Sequence, residues 1–80
     1  MPPRDDPDYD AAATRALLQG AHEGDSASAE EATGYRFGEP VLVPHVRAIL
    51  ERARKQKNDR LEQLAERFLT RAGVEVDNAD

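Results

Sequence analysis

Hydrophobic positions concentrate in the second half of the chain and recur there at helical spacing. Between Pro44 and Gly73 the apolar side chains follow the i, i+3, i+4 pattern that places them on one side of an α-helix. The apolar face consists of Val46, Ile49, Leu50, Ala53, Leu61, Leu64, Ala65, Phe68 and Ala72. Pro44 suits a first helical turn, and Gly73 followed by Val74 is typical of a Schellman stop. Residues 44–73 are therefore predicted to be helical.

This helical stretch forms either one helix or two. Polar residues fill positions 55–60 and interrupt the apolar face. The absence of Gly and Pro, and a face that stays in phase across the gap, favour one helix. Two helices are favoured by Asn58, which tolerates a left-handed C-terminal position, and by the capping-box spacing of Asp59 and Glu62. We favour the break.

Residues 35–43, YRFGEPVLV, contain the only pattern that predicts extended structure. Aromatic and β-branched residues favour a strand, and its expected centre is Val41-Leu42-Val43. Such a strand needs a second one to pair with, from residues 74–76 or from another copy of the chain. The predicted fold class is mostly α, with a short N-terminal strand followed by two helices or one long helix.

Residues 1–34 are predicted to be an acidic, largely flexible segment with a disordered start. Within it, residues 7–19 allow a short helix that Gly20 ends. Residues 20–34 have the composition of a linker, in which the capping-box spacing of Ser28 and Glu31 allows a brief helical turn over 29–33. The expected organisation is this segment, a small strand-helix-helix domain over 35–76, and a loose tail over 77–80.

Composition bounds the size of the core. The chain has 80 residues, of which 39% are hydrophobic and 34% charged, and it has no Cys. Because the hydrophobic positions concentrate in the second half of the chain, only about forty residues belong to the part that can form a core. This is near the size at which a lone chain needs a partner. A homodimer or a complex with another protein is therefore expected. The N-terminus has no basic and apolar targeting pattern, which predicts a cytoplasmic protein with no membrane span.

Charge is distributed unevenly along the chain. Residues 1–43 carry three basic residues and nine carboxylates, whereas residues 44–73 carry eight basic residues and four carboxylates. The net charge is −5. A basic helical block between acidic ends bears on partners rather than on fold.

Motifs for catalysis, cofactor binding or metal binding are not recognisable in the sequence. It has no phosphate-binding Gly-rich loop and no nucleophile elbow. His22 and His45 have no ligand-like spacing and are interpreted as exposed side chains. We therefore expect a non-enzymatic protein without cofactor or metal.

The order of elements resembles the ribbon-helix-helix family. The residues that carry the resemblance are Pro40-Val41-Leu42-Val43-Pro44 for the ribbon, His45 to Gln56 for the first helix and Arg60 to Ala72 for the second. The resemblance implies an interlocked dimer whose paired strands enter the DNA major groove. It implies a regulatory role, as in a transcriptional regulator or an antitoxin. The residues assigned to DNA are Arg36, as base reader, and Lys55, Lys57 and Arg60, as phosphate contacts.

The alternative is a helical protein-protein interaction module, such as an adaptor or an inhibitor. It would use the amphipathic helix face, with the acidic flexible segment placed against a basic groove of its partner. The predicted dimer or partner interface consists of Val41, Leu42, Val43, Val46, Ile49, Leu50, Leu61, Leu64, Phe68 and Leu69. A third hypothesis joins the two, with residues 1–34 covering the basic block until a partner removes them.

Overall fold

The computed structural model describes Pro3 and residues 5–74, and these fold into four α-helices and one 3₁₀ turn. The helices are α1 (Tyr9–His22), α2 (Ser26–Thr33), α3 (Val43–Gln56) and α4 (Asp59–Arg71), with the 3₁₀ turn at Pro40–Leu42 directly before α3. The predicted tail over 77–80, residues 75 and 76 of the predicted domain, and residues 1, 2 and 4 lie outside the described residues.

The predicted strand is wrong, because Val41-Leu42-Val43 forms the 3₁₀ turn and the first residue of α3. Pro40 and Pro44 fix their own φ angles near −65°, which suits a 3₁₀ turn and a first helical turn. Leu42 has no solvent exposure, because it packs into the core between α1 and α3. No strand occurs among residues 5–74, so the mostly α part of the prediction holds and its extended part does not.

The break between α3 and α4 is present, but the residue that ends α3 and the residue that caps α4 each lie one position before the predicted one. Lys57, rather than Asn58, takes the left-handed conformation, with φ 55°. Asn58, rather than Asp59, caps α4, since its side-chain oxygen accepts a hydrogen bond from Leu61 N at 3.2 Å. The Schellman stop is confirmed, because Val74 N donates to Leu69 O at 2.9 Å.

Helix α1 begins at Tyr9 and ends at His22, later at both ends than the predicted 7–19, and it is part of the same core as the α3–α4 pair. It runs through Gly20, at which a Cβ atom would lie only 2.7 Å from the Ala29 Cβ atom of α2. The glycine is thus used for close helix packing and not as a stop. The core residues are Leu17 and Leu18 of α1, Leu42 of the turn, Val46 and Leu50 of α3, and Leu64, Ala65, Phe68 and Leu69 of α4.

Helix α2 occupies part of the predicted linker. The Asp25 carboxylate caps it by accepting from Ser28 N at 3.3 Å, and Gly34 ends it with φ 78°. The Tyr9 hydroxyl donates to the Thr33 carbonyl oxygen at 2.6 Å in a buried position, which attaches the end of α2 to the start of α1. Residues 9–33 therefore form two packed helices rather than a helix and a linker.

The loop after α2 fits closely against the end of α4. The Glu30 carboxylate accepts from Phe37 N at 2.7 Å, and the Phe37 ring meets the Phe68 ring edge-on with centroids 4.9 Å apart. Gly38 is buried and has φ +95°, and a Cβ atom there would lie 2.7 Å from the Arg71 Cβ atom. This contact needs a residue without a side chain.

Candidate functional site

A groove of about 480 Å³ lies between α1 and the start of α4. Its lining residues are Arg15, Leu18, Gln19 and His22 of α1, Asn58 of the α3–α4 turn, and Arg60, Leu61 and Leu64 of α4. The α1 residues follow the spacing i, i+3, i+4, i+7 and so lie on one side of that helix. We call this feature the α1–α4 groove.

The floor of the α1–α4 groove is apolar. Leu18 and Leu64 are each 3% exposed and belong to the core, so they are held firmly in place. Leu61 is only half-buried and packs against the same core. An apolar side chain entering the groove would therefore remove the remaining exposed surface of Leu61 from water, which is favourable.

The rim of the α1–α4 groove consists of exposed polar side chains, of which three can carry positive charge: Arg15, His22 and Arg60. Arg60 Nε donates a hydrogen bond to His22 Nδ1 at 3.2 Å and so links α4 to α1 across the groove.

Carboxylates are absent from the residues that line the α1–α4 groove. On α4, Glu62 and Glu66 turn towards α3, where the Arg54 guanidinium pairs with them at 3.3 Å and 3.5 Å. The other ion pair of the described chain joins Glu51 and Lys55 along α3, at 3.9 Å. The groove is thus a locally cationic surface on an acidic protein.

The groups around the groove are suited to binding. Guanidinium groups donate several hydrogen bonds in a planar fork that matches carboxylate and phosphate, and the leucine floor accommodates apolar groups. Within the described residues no group of three or more His, Asp or Glu side chains is placed to hold a metal ion. None of the helices in that part of the chain is both long and apolar enough to cross a membrane.

The residues predicted to contact DNA are all exposed, but they do not form one set. Lys55, Lys57 and Arg60 lie around the α3–α4 turn, and Arg60 belongs to the α1–α4 groove. Arg36 lines a different, polar depression beside Arg71. Arg71 is eleven residues beyond Arg60 on α4, or about 16 Å along the helix axis, so Arg36 lies towards the opposite end of that helix.

The residues predicted to form an interface divide by exposure. Six of them lie in the core of this chain: Leu42, Val46, Leu50, Leu64, Phe68 and Leu69. Val43, Ile49 and Leu61 are half-buried, and Val41 is 54% exposed. Of the ten, Leu61 and Leu64 contribute to the α1–α4 groove.

Sequence reasoning missed the α1 side of the groove. His22 was interpreted as a linker residue, and Arg15 and Gln19 were given no role. The signal that could have found them is their shared spacing with Leu18, which places three polar groups around one buried leucine once α1 docks. That docking depends on contacts distant in sequence.

Within the described residues the protein is small and helical, and its α1–α4 groove has an apolar floor and a basic rim. Comparison with protein-family models, with curated proteins and with solved structures found no match.

Proposed function

We propose that this chain is a non-enzymatic protein-binding module whose α1–α4 groove receives apolar side chains from a segment of another protein. The observation that carries the proposal is the open leucine floor, in which the half-buried Leu61 continues the buried surface of Leu18 and Leu64. Laying an apolar helix face into a groove between helices is a common mode of peptide recognition. This proposal corresponds to the helical protein-protein interaction module predicted from the sequence, but its binding surface is smaller than the predicted interface.

The experiment is selection of peptides from a displayed random library on the full-length protein, followed by affinity measurement with two matched variants. Leu61→Glu places a charge on the groove floor, and Val41→Glu places the same charge on an exposed apolar side chain outside the groove. We expect selected peptides to contain apolar residues and to bind Leu61→Glu at least about tenfold more weakly, while Val41→Glu binds as the parent does.

Circular dichroism of both variants confirms that each one is folded. If no peptide is enriched, or if every enriched peptide binds Leu61→Glu and the parent equally, the proposal is wrong.

DNA binding is the second candidate, and it is supported by the exposed cations around the α3–α4 turn. Lys55, Lys57 and Arg60 are exposed within six positions of the chain. In this form the contact is to phosphate through side chains, because the ribbon that the family resemblance implied has no strand to form it. Binding to a random-sequence duplex at low salt, lost at moderate salt and weakened in Lys57→Glu, would support it. Absence of binding at low salt would exclude it.

A further inference from the structure

The rim of the α1–α4 groove limits the chemistry of its occupant. Resting on the proposed function, we infer that the groove binds an acidic amphipathic segment of a partner protein. Apolar side chains of that segment lie on Leu18, Leu61 and Leu64, and its Asp or Glu carboxylates pair with Arg15 and Arg60. Such a segment matches both the floor and the charge of the rim.

Charge complementarity is the first support. The groups with ionisable side chains in the lining are Arg15, His22 and Arg60, and all of them are bases. Two carboxylates close to the lining already have partners: Glu23 accepts from the rim residue Gln19 at 2.9 Å, and Glu62 pairs with Arg54. An incoming carboxylate therefore meets the guanidinium groups of Arg15 and Arg60, whereas a basic segment would be repelled by them.

The hydrogen bonding of Arg60 is the second support. Its Nε is occupied by His22 Nδ1 at 3.2 Å, which holds the guanidinium group across the groove from α1. The two terminal nitrogens are left to donate, and together they can bind both oxygens of one carboxylate. Arg15 Nε donates to the Ala11 carbonyl oxygen at 3.4 Å, which likewise leaves its terminal nitrogens for a ligand.

Helices α2 and α4 of a second copy are poorer occupants than a segment of different sequence. Helix α2 carries the adjacent carboxylates Glu30 and Glu31, but it has no apolar side chain larger than Ala. On α4 the carboxylates of Glu62 and Glu66 are already paired with Arg54. Neither helix combines available carboxylates with large accessible apolar side chains, which is the combination that the groove fits.

The test compares charge at matched positions, with the peptides selected from the library as probes. Each enriched peptide is synthesised twice, once as selected and once with Asp and Glu replaced by Asn and Gln. Both forms are titrated into the full-length parent, Arg15→Glu, Arg60→Glu and Arg52→Glu. Arg52 is exposed on α3 outside the groove, so it controls for the overall change in charge.

We expect acidic residues to be enriched, and binding to weaken about tenfold in Arg60→Glu at low salt and less at high salt. Arg52→Glu should change the affinity by less than about twofold. Neutral or basic enriched peptides, or equal affinity of the acidic and amide forms, would overturn this inference and leave the proposed function in place. Absence of any Leu61-dependent peptide would overturn both. Competition by inorganic phosphate at the peptide's own concentration would identify a small-anion site and would also overturn the inference.

Discussion

Single residues in this protein take conformations that their neighbours require, and Gly38 is the clearest case. It is buried, its φ is +95°, and the space where its side chain would be is filled by Arg71 of α4. Any substitution of Gly38 should therefore lower the free energy of unfolding for two reasons. The new side chain is held on a left-handed backbone, and it collides with the packed end of α4.

Replacing Gly38 with Ala should lower the free energy of unfolding by about 2–5 kcal/mol, since a left-handed L-residue costs about 1–2 kcal/mol and overpacking adds about 1–3. Gly24→Ala is the matched control, because Gly24 also has a positive φ, +76°, but open space around it. That control should lose only the backbone part, about 1–2 kcal/mol. Urea denaturation of both variants measures the difference, and equal losses would show that the Arg71 contact carries no cost.

At the scale of the elements, helices with a strong apolar period were predictable, whereas α2, which is held by distant contacts, was not. The period over residues 44–73 gave α3 and α4, and Gly73 with Val74 gave the stop of α4. These signals are local, since they depend on residues within one or two turns. The single break residue was misplaced because Lys57 has no local preference for a left-handed conformation.

The predicted strand and the predicted linker are not observed, because contacts distant in sequence decide the conformation of both segments. Val41-Leu42-Val43 has β propensity over only three residues, and burial of Leu42 against α1 decides its conformation. Helix α2 has a sequence typical of a linker, and it is held by the bond from Tyr9 to Thr33 and by the close contact at Gly20. The α1 side of the α1–α4 groove was likewise not predicted from the sequence. Arg60 was predicted as a functional residue because of its charge.

Helix α1 should be needed for α3 and α4 to fold. It supplies Leu17 and Leu18, which are 0% and 3% exposed, to the core. A fragment of residues 35–80, close to the domain predicted from sequence, would leave that part of the core open to water. Removing two buried leucines costs about 2–5 kcal/mol each, which is comparable to the whole stability of a small domain.

We therefore expect the 35–80 fragment to show weak helical circular dichroism and no cooperative urea transition, and the full-length chain to show both. A fragment that unfolds cooperatively at the same urea concentration as the full-length chain would instead support an independent domain with an accessory N-terminal segment.

At the scale of the whole molecule, the core is larger than the sequence suggested. The homodimer was predicted because about forty residues are too few for a lone chain. In the structure, residues 9–74 contribute to one body with a Cα radius of gyration of 12.0 Å. The homodimer stays a prediction. The argument that the chain is too small to fold alone is weaker, because six of the predicted interface residues already lie in the core of one chain.

Folding should accordingly not require association. We expect the midpoint of thermal unfolding to be unchanged over about a hundredfold range of protein concentration, because a chain that folds alone has no mass-action term. Light scattering at the same concentrations gives the mass. A midpoint that rises with concentration would show that a second copy is part of the stable fold.

The close contact between Gly20 and Ala29 also affects how the molecule meets other charged molecules. Gly20 lies two residues from Leu18 and from His22, and so on roughly the opposite side of α1 from the α1–α4 groove. Helix α2, with Glu30 and Glu31, is thereby fixed behind α1, while Arg15, His22 and Arg60 lie in front of it. Carboxylates and guanidinium groups therefore lie on opposite sides of α1. In the electric field of a negatively charged partner, the protein would turn its basic side towards that partner before contact. Gly20, which permits the close packing of α2, would thus also favour productive encounters.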